Sequence, residues 1–314
     1  MPIVTVSQAF DIYRREIVAA DLRGKSPRQR QIWKNTKLRS VQYFTEVVGD
    51  VPILEITRED ARRFRIHWLE CMQDEKSPIS ANTANRHMGD LRGLFDRYKT
   101  YVGREELSNP FRALSFKDKI KKSAPRIETE WVRNVILKPG ALSGLRDEIR
   151  LVTFIMIETG CRPGEVVNLL PEDIELDAKV PFIRIRPTLE GKNKREIKAE
   201  ASTRGIPLVG IALAAMKQAP EGFPHYRDRS SSFSAAANKS LRNRGLFPTP
   251  DHVIYSFRHS FEKRMQEAGI DYGLRCLLMG HKTDRPKYGD GGSMAYRRDE
   301  LMKIAHPFDD SCVE

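Results

Sequence analysis

The sequence predicts a mainly α-helical chain with one small antiparallel β-sheet. Apolar residues recur at helical spacing through 6–20, 30–48 and 83–102, which predicts a first third made of amphipathic helices. A short alternating run at 181–186 and a second short run at 204–209 flank a long charged stretch, a pattern typical of two hairpin strands joined by a polar loop. We therefore expect a helical N-terminal domain followed by a mixed α/β domain.

Local start and stop signals support these elements. The segment Thr57-Arg58-Glu59-Asp60 resembles a helix start with acidic residues in the first turn. Gly160 is suited to end one helix, and Pro163 is suited to the first turn of the next. Residues 207–218 and 256–268 also show helical spacing. The second domain is thus expected to carry helices on both sides of its hairpin.

A basic stretch separates the two parts of the chain. Asn109-Pro110 predicts a turn, and residues 117–126 (KDKIKKSAPR) are strongly basic. Two interpretations of that stretch remain equal: a solvated linker, or a linker that lies across DNA phosphates. The predicted organisation is a helical domain over 1–115, a linker over 116–127 and a second domain over 128–314.

The charge distribution indicates a partner of opposite sign. The net charge is +12 and the sequence pI is about 9.6. Residues 1–127 hold 25 Lys and Arg against 16 Asp and Glu, a net charge of +9. Lys and Arg gain affinity for nucleic acids by releasing phosphate counterions, so the front of the chain is a candidate DNA-binding region.

Other classes of protein find little support. Mean hydropathy is -0.51 and no apolar run approaches the ~20 residues of a membrane span. Four widely separated cysteines favour a reducing cytoplasm over a disulfide scaffold or a short-range zinc motif. Neither a Gly-rich phosphate loop nor a clustered set of metal ligands is evident. We expect no metal, no other cofactor and no membrane partner.

Three short segments carry the candidate chemistry. They are Thr159-Gly-Cys-Arg-Pro-Gly-Glu165, Tyr255-Ser-Phe-Arg258-His259 and Leu277-Leu-Met-Gly280-His281. Any one of these Arg or His residues is more often structural than catalytic. Their order and combination, with a lysine-bearing hairpin between the first two, favour a functional set over unrelated structural residues.

Taken together, these segments resemble the tyrosine recombinase (phage integrase) family over most of residues 128–300. The family's TG-x-R-x-x-E segment is matched by Arg162, with Glu165 as its support. Its H-x-x-R-H box is matched by Arg258, with His259 as a support, and its L-(L/M)-G-H box by Gly280-His281. The resemblance implies the family's mixed α/β catalytic domain and a phosphotyrosine mechanism without metal or ATP.

The resemblance also suggests a lysine and a nucleophile. The family lysine precedes an R-x-(I/V)-P-L strand, here Arg204-Gly-Ile-Pro-Leu208. That spacing favours Lys198, with Lys192 and Lys194 as rivals in the long hairpin loop. The nucleophile follows the third box, where Tyr288 lies seven residues and Tyr296 fifteen residues after His281. Tyr288 is nearer the family's usual spacing and is favoured.

One position departs from the family pattern. The second box usually begins with His or Lys, and here it begins with Tyr255. A phenol can donate a hydrogen bond to a phosphate oxygen but accepts a proton poorly. Tyr255 is therefore kept in the catalytic set as a positioning group whose acid–base help is weaker.

These residue types suit attack by a tyrosine oxygen on a phosphodiester. Arg162 and Arg258 offer planar donors that bind phosphate in pairs and stay charged. Lys198 is the candidate general acid for the leaving 5′-oxygen, and His281 is expected to hydrogen-bond the phosphate. A tyrosine has a pKa of about 10 in water, so neighbouring cations must favour its ionised form.

The front third resembles the family's core-binding helical domain. The match runs from Asn82-Thr-Ala-Asn-Arg-His-Met-Gly-Asp-Leu-Arg to Ser108-Asn-Pro-Phe111. The DNA-binding residues expected in this region and in the linker are Arg86, Arg92, Lys119, Lys121 and Lys122.

The resemblance implies a homo-tetramer on paired sites in double-stranded DNA, with a cytoplasmic, nucleoid-associated location. It also admits accessory proteins that bend DNA. The tail at 301–308 is equally compatible with docking on a neighbouring subunit and with folding back on its own domain.

Two other functions fit parts of the pattern. A non-cutting DNA-binding protein derived from an integrase shares the basic charge, the helices and the unusual Tyr255. A type IB topoisomerase-like enzyme shares the phosphotyrosine chemistry but lacks the helical front domain. The presence of Arg, Lys, His and Tyr in family order favours the recombinase.

Overall fold

A computed structural model describes residues 3–76, 78–117, 123–197, 200–282 and 291–313. The chain forms two compact units, Met1–Lys122 and Ser123–Glu314. Each unit has its own hydrophobic core. Within the described part of the chain, no helix is both long enough and apolar enough to cross a membrane.

The first unit is helical, as predicted. Its α-helices, in chain order, are α1 (Val6–Ile12), α2 (Pro27–Val47), α3 (Arg58–Gln73) and α4 (Ala81–Tyr101). A π-helical turn, Tyr13–Ile17, extends α1, and a 3-10 turn, Ile53–Glu55, precedes α3. Thr57 caps α3 through a reciprocal pair of hydrogen bonds with Asp60, which confirms the start signal found in the sequence.

Aromatic side chains fill the core of the first unit. Phe44 of α2 lies edge-on to Phe64 of α3, with ring centroids 5.3 Å apart, and also contacts Phe111. Phe111 and Phe116 are buried in this core, so the chain remains part of the first unit well beyond α4. The amide of Asn85 accepts from the Phe116 N–H at 2.7 Å and donates to the Phe116 oxygen at 2.9 Å.

The second unit combines helices with a small sheet. Its α-helices are α5 (Thr129–Trp131), α6 (Asp147–Thr159), α7 (Pro163–Val166), α8 (Gly210–Lys217), α9 (Ser230–Asn243), α10 (Ser256–Glu267), α11 (Tyr272–Met279) and α12 (Met294–Met302). Its strands are β1 (Ile174–Glu175), β2 (Phe182–Ile185) and β3 (Arg204–Pro207). A π-helical turn, Val132–Ile136, continues α5, and short 3-10 turns lie at Pro171–Asp173, Glu200–Ser202 and Asp310–Cys312.

Helix α6 lies at the centre of this unit. Every residue of α6 from Ile149 to Thr159 is buried, because α8 and α10 pack against it. A helix that is apolar on nearly all sides belongs in a core rather than at a surface. This central position brings the end of α6, at Gly160, into the interior of the unit.

The sheet confirms the predicted hairpin. Strands β1, β2 and β3 are antiparallel neighbours in that order, and Ile183 pairs with Ile206. Both isoleucines are buried, as the alternating pattern requires. Beyond the paired strands, the two arms meet again at a bridge between Thr188 and Arg195.

Helix α9 was not apparent from the sequence. The run 229–240 is polar in composition, which obscured three apolar residues spaced four apart. Phe233, Ala237 and Leu241 lie on one face of α9 and are fully buried. The Ala residues between them favour a helix but the Ser and Asn residues do not, so tertiary burial of that face adds to the stability of the helix.

Candidate active site

A sharp turn between α6 and α7 places Arg162. Gly160 ends α6 in the left-handed conformation, with φ 60°, and Pro163 is the first residue of α7. A Cβ at Gly160 would lie 2.2 Å from a ring carbon of Phe261, so no larger residue fits there. Both sequence signals at this junction are confirmed. Arg162 precedes α7 with an extended backbone.

Glu165 holds Arg162 at two points. Its carboxylate accepts from the Arg162 backbone N–H at 2.8 Å and from Arg162 Nη1 at 2.6 Å. Burial opposes the charged form of Glu165, but the Arg204 guanidinium and the hydrogen bonds from Arg204 and Arg162 outweigh it. The pKa of Glu165 is thereby lowered to about 2, so the carboxylate stays charged at neutral pH.

Arg204 is the residue of this cluster that sequence reasoning left without a role. Its side chain is fully buried at the start of β3 and donates to both Glu165 oxygens, at 3.2 and 2.9 Å. The same guanidinium donates to the backbone oxygens of Ser202 and Leu278, both at 2.7 Å. The only sequence signal was its place at the head of the Arg-Gly-Ile-Pro-Leu strand.

Arg258 connects the turn at Gly160 to the end of α11. It lies on α10 and is 1% exposed. Its Nη1 donates to the Gly160 oxygen at 2.6 Å, and its Nη2 donates to the Met279 oxygen. Burial and the nearby charge of Arg162 lower the pKa of Arg258. Two cationic side chains are therefore held close together by backbone carbonyls and one carboxylate.

His281 completes the cluster. Helix α11 ends at Gly280, which adopts φ 61°, and the chain then turns so that His281 Nε2 lies 3.1 Å from Arg258 Nη2. An arginine can only donate, so Nε2 is the acceptor and the ring proton is assigned to Nδ1. Burial and the charge of Arg258 lower the pKa of His281, in agreement with a neutral ring.

Tyr255 and His259 lie at the beginning of α10. Tyr255 immediately precedes the helix, and its ring meets that of His259 edge-on with centroids 5.3 Å apart. Within the described ranges, the Tyr255 hydroxyl has no hydrogen-bond partner. His259 packs on Tyr255 and lines a surface cavity with Glu262 and Lys263.

Several predicted residues lie outside the described residues. They are Lys198, Tyr288, Lys119, Lys121 and Lys122. The chain that follows Lys198 reaches the cluster, because Ser202 Oγ accepts from Arg162 Nη1 at 3.3 Å. The rival Lys192 is exposed at the tip of the hairpin. Tyr296, the rival nucleophile, is 44% exposed on α12.

The two predicted DNA-binding arginines of the first unit lie on α4. Arg86 is exposed and Arg92 is half-buried. The helix is held on α2 by a buried polar group in which Ser40 Oγ contacts His87 Nδ1 and Asp90 Oδ2, each at 2.7 Å. These contacts fix the orientation of the face that carries Arg86.

No cluster suited to a metal is evident in the described ranges. No group of three or more His, Cys, Asp or Glu side chains is arranged there to hold an ion. The four cysteines are unpaired as disulfides, and burial raises the pKa of the Cys161 thiol beside Arg204.

Comparison with known sequences finds a partial match to an integrase-like protein. No model of a known protein family matches the sequence. A probable integrase/recombinase protein of Methanocaldococcus jannaschii is 28% identical over 162 residues. The match covers 48% of this chain and 48% of that relative, so it spans about half of the relative's length.

Solved structures of two integrases align with nearly the whole of this chain. An integrase of the transposon Tn1549, solved with transposon right end DNA, has a TM-score of 0.62 at 17% identity and covers 98% of this chain and 97% of that one. A lambda integrase dimer bound to a core site has a TM-score of 0.61 at 16% identity, covering 91% of this chain and 98% of that one. The fold expected from the resemblance, a tyrosine recombinase fold with mostly helices and a small antiparallel sheet, is confirmed.

Proposed function

We propose that this chain is a site-specific DNA recombinase that cleaves and rejoins double-stranded DNA through a 3′-phosphotyrosine intermediate. The observation that carries the proposal is the clustering of Arg162, Arg258 and His281. These residues come from three separated segments: Arg258 hydrogen-bonds His281 and also the backbone oxygen of Gly160, which lies two positions before Arg162. The tyrosine recombinase fold and the cationic cluster support the same chemistry.

The cluster is suited to a phosphodiester in the act of cleavage. Negative charge grows on the non-bridging oxygens as the nucleophile approaches, and fixed cationic donors stabilise it. Arg162 Nε is buried and has no partner among the residues that the structure describes, so it is a donor available to a phosphate oxygen. Arg162 is also the more accessible arginine, with 17% of its side chain exposed.

In the proposed reaction, the Tyr288 phenolate oxygen attacks phosphorus and the bond from phosphorus to the 5′-oxygen breaks. Lys198 gives its proton to that leaving oxygen. The phosphotyrosine ester conserves the bond energy, so a 5′-hydroxyl of another strand can reverse the step without ATP. The placement of Ser202 against Arg162 supports Lys198 over Lys192, because Lys198 lies only four positions before Ser202.

The known complexes suggest the partners. The neighbours are described as a Tn1549 integrase with transposon DNA and as lambda integrase in dimers on a core site and tetramers on a Holliday junction. We extend this to a homo-tetramer of the present chain on paired sites. The exposed Arg86, the half-buried Arg92 and the basic stretch containing Lys119, Lys121 and Lys122 would contact the backbone of the duplex.

A direct test can begin without a defined target sequence. A duplex is selected from a random pool by retention on the purified full-length protein, and the bound sequence is then nicked at successive positions to trap a covalent adduct. Denaturing gels compare wild type with Tyr288→Phe, and Tyr296→Phe is the matched control. We expect an adduct that is lost in Tyr288→Phe and retained in Tyr296→Phe.

The opposite results are equally informative. Loss of the adduct only in Tyr296→Phe would keep the mechanism and change the nucleophile. A duplex that is bound tightly but yields no adduct at any nick would favour the non-cutting DNA-binding protein. Tyr255 in place of the family's His or Lys is the feature that makes that second function worth testing.

A further inference from the structure

We propose that Arg204 is a positioning residue that couples the Arg162 turn to the end of α11, which His281 follows. The inference rests on the proposed function, because it assigns to Arg204 a part in the same phosphate chemistry. The buried guanidinium of Arg204 makes two sets of contacts. One set is to the carboxylate of Glu165, and the other is to the Leu278 oxygen at the end of α11.

The first set controls Arg162. Glu165 binds both Arg162 and Arg204, so the carboxylate lies between two guanidinium groups. A buried carboxylate with one of these cations removed would be poorly neutralised and would shift toward the remaining partner. Arg204 therefore keeps Glu165 in the place from which it orients Arg162.

The second set controls His281. The last carbonyls of a helix have no partner within the helix. At the end of α11, two of them are bound by arginines: Leu278 by Arg204 and Met279 by Arg258. Cations at this end of a helix also interact favourably with its dipole. His281 follows directly, so its position depends on both caps.

Close packing makes the coupling stiff. A Cβ added at Gly280 would lie 2.7 Å from Arg204 Nη1 and 3.1 Å from the Ser202 Cα, so backbone and guanidinium touch here without free space. A side chain at position 204 that is smaller or more flexible than arginine cannot fill this space and also donate five N–H groups in the same directions. We infer that a change at Arg204 moves Arg162 and His281 together.

The test uses the full-length chain with Arg204→Met, Arg204→Lys and the matched control Arg264→Met. Arg264 is also a buried arginine of the second unit, paired with Glu158, and takes no part in the cluster. Single-turnover adduct formation is measured at saturating nicked DNA, below the melting temperature of every variant. DNA affinity is measured separately, so that binding and chemistry are distinguished.

We expect Arg204→Met to lower the adduct rate by about 100-fold, the cost of displacing reacting groups by roughly 1 Å. Its DNA affinity should stay close to that of wild type, and Arg204→Lys should recover only part of the rate. Combining Arg204→Met with Glu165→Gln should cost less than the sum of the two separate losses, because both changes remove the contact between Arg204 and Glu165. The folded fraction of Arg264→Met should cleave at the wild-type rate.

Equal rates in folded Arg204→Met and wild type would overturn the inference, as would an equal loss in Arg264→Met. If wild type binds DNA but forms no adduct, the proposed function fails. The role of Arg204 in positioning is then tested by NMR titration of Glu165 and His281. Loss of the Arg204 charge should raise the pKa of both the Glu165 carboxyl and the His281 ring. Unchanged titration of both groups would reject the coupling.

Discussion

Arg258 donates a hydrogen bond from Nη1 to the backbone oxygen of Gly160, at a distance of 2.6 Å. The residues are 98 positions apart, and the bond ties α10 to the turn that carries Arg162. The same side chain binds the Met279 oxygen, so one buried guanidinium joins three segments of the second unit.

The first prediction concerns the two hydrogen bonds that the forked Arg258 guanidinium donates to Gly160 and Met279. Lysine keeps the charge, but a single ammonium cannot reproduce the fork that reaches Gly160 and Met279. We expect Arg258→Lys to lower the single-turnover adduct rate by about 10²–10³-fold. Arg242→Lys is the control, since exposed Arg242 also binds backbone carbonyls but lies on α9. Comparable rates for the two variants would contradict the role of Arg258.

The second prediction concerns the protonation of His281. Its pKa is lowered from 6.5 by burial and by Arg258, so we expect a neutral ring at pH 7. A pKa below the unfolded value means that the unfolded chain binds more protons. The stability contributed by the neutral ring is therefore present above pH 6.5 and lost as the pH falls. NMR titration, assigned with His281→Gln, checks this; a midpoint at or above 6.5 would refute it.

The third prediction is an acid-sensitive first unit. His87 stacks on Trp68 at 4.6 Å, and burial and Arg86 lower its pKa to about 4. Between pH 6.5 and 4 the unfolded chain binds the extra proton, so the free energy of unfolding falls by up to ~3 kcal/mol as the pH drops. His87→Phe keeps the stacking and should flatten this dependence.

This pH dependence can be measured by urea unfolding of the full-length chain. Trp131→Phe is introduced into both the wild type and His87→Phe. This leaves Trp33 and Trp68, which belong to the first unit, as the tryptophan reporters. An identical pH slope with and without His87 would rule out this histidine as the source.

The fourth prediction concerns a buried ionic group that holds the segment after α12. Arg264 Nη1 lies 3.1 Å from Glu158, and His306 Nδ1 lies 2.8 Å from the same carboxylate. Burial raises the pKa of Glu158, but Arg264 and His306 outweigh it, so the pKa is lowered and the carboxylate is charged. The tail thus folds back on its own unit.

Breaking this group should be costly. We expect Arg264→Met to lower the free energy of unfolding of the second unit by about 3–5 kcal/mol, because it leaves an uncompensated charge on Glu158. Urea denaturation measures the change. The double variant Arg264→Met with Glu158→Leu should be less destabilised than the single one. A single-variant loss below ~1 kcal/mol would mean that water reaches the carboxylate.

The fifth prediction tests the turn before Arg162. Gly160→Ala combines the left-handed backbone with a Cβ 2.2 Å from Phe261. We expect a loss of about 2–5 kcal/mol, the sum of a backbone cost and an overpacking cost. Gly269→Ala is the control: its φ is 70°, but no atom lies within 4 Å of the added carbon. Equal melting temperatures for the two variants would show that Phe261 yields freely.

Much of the fold could be predicted because its signals are local. Helical periodicity predicted α2, α3 and α4, alternation predicted β2, and the second short run after the charged stretch predicted β3. Where the signal was a face of only three apolar residues, as in α9, local composition did not reveal the helix. Its stability comes from the core that Phe233 enters, and that core is built by distant parts of the chain.

The cluster itself shows the same division. Motif order identified Arg162, Glu165, Arg258 and His281 as candidates, and the structure brings these four together. Motif order did not identify Arg204, because an arginine at the start of a strand carries no local signal of what it binds. Its partners are 39 and 74 positions away.

The sequence by itself determined most of the elements and the residue types of the cationic cluster, because these depend on neighbours within a few turns of chain. Only the tertiary structure decided which buried groups satisfy one another. Glu165 is shared by two arginines, α11 is capped by Arg204 and Arg258, and the tail is held by Glu158. A buried polar group must find a partner wherever the folded chain brings one, at any separation along the sequence.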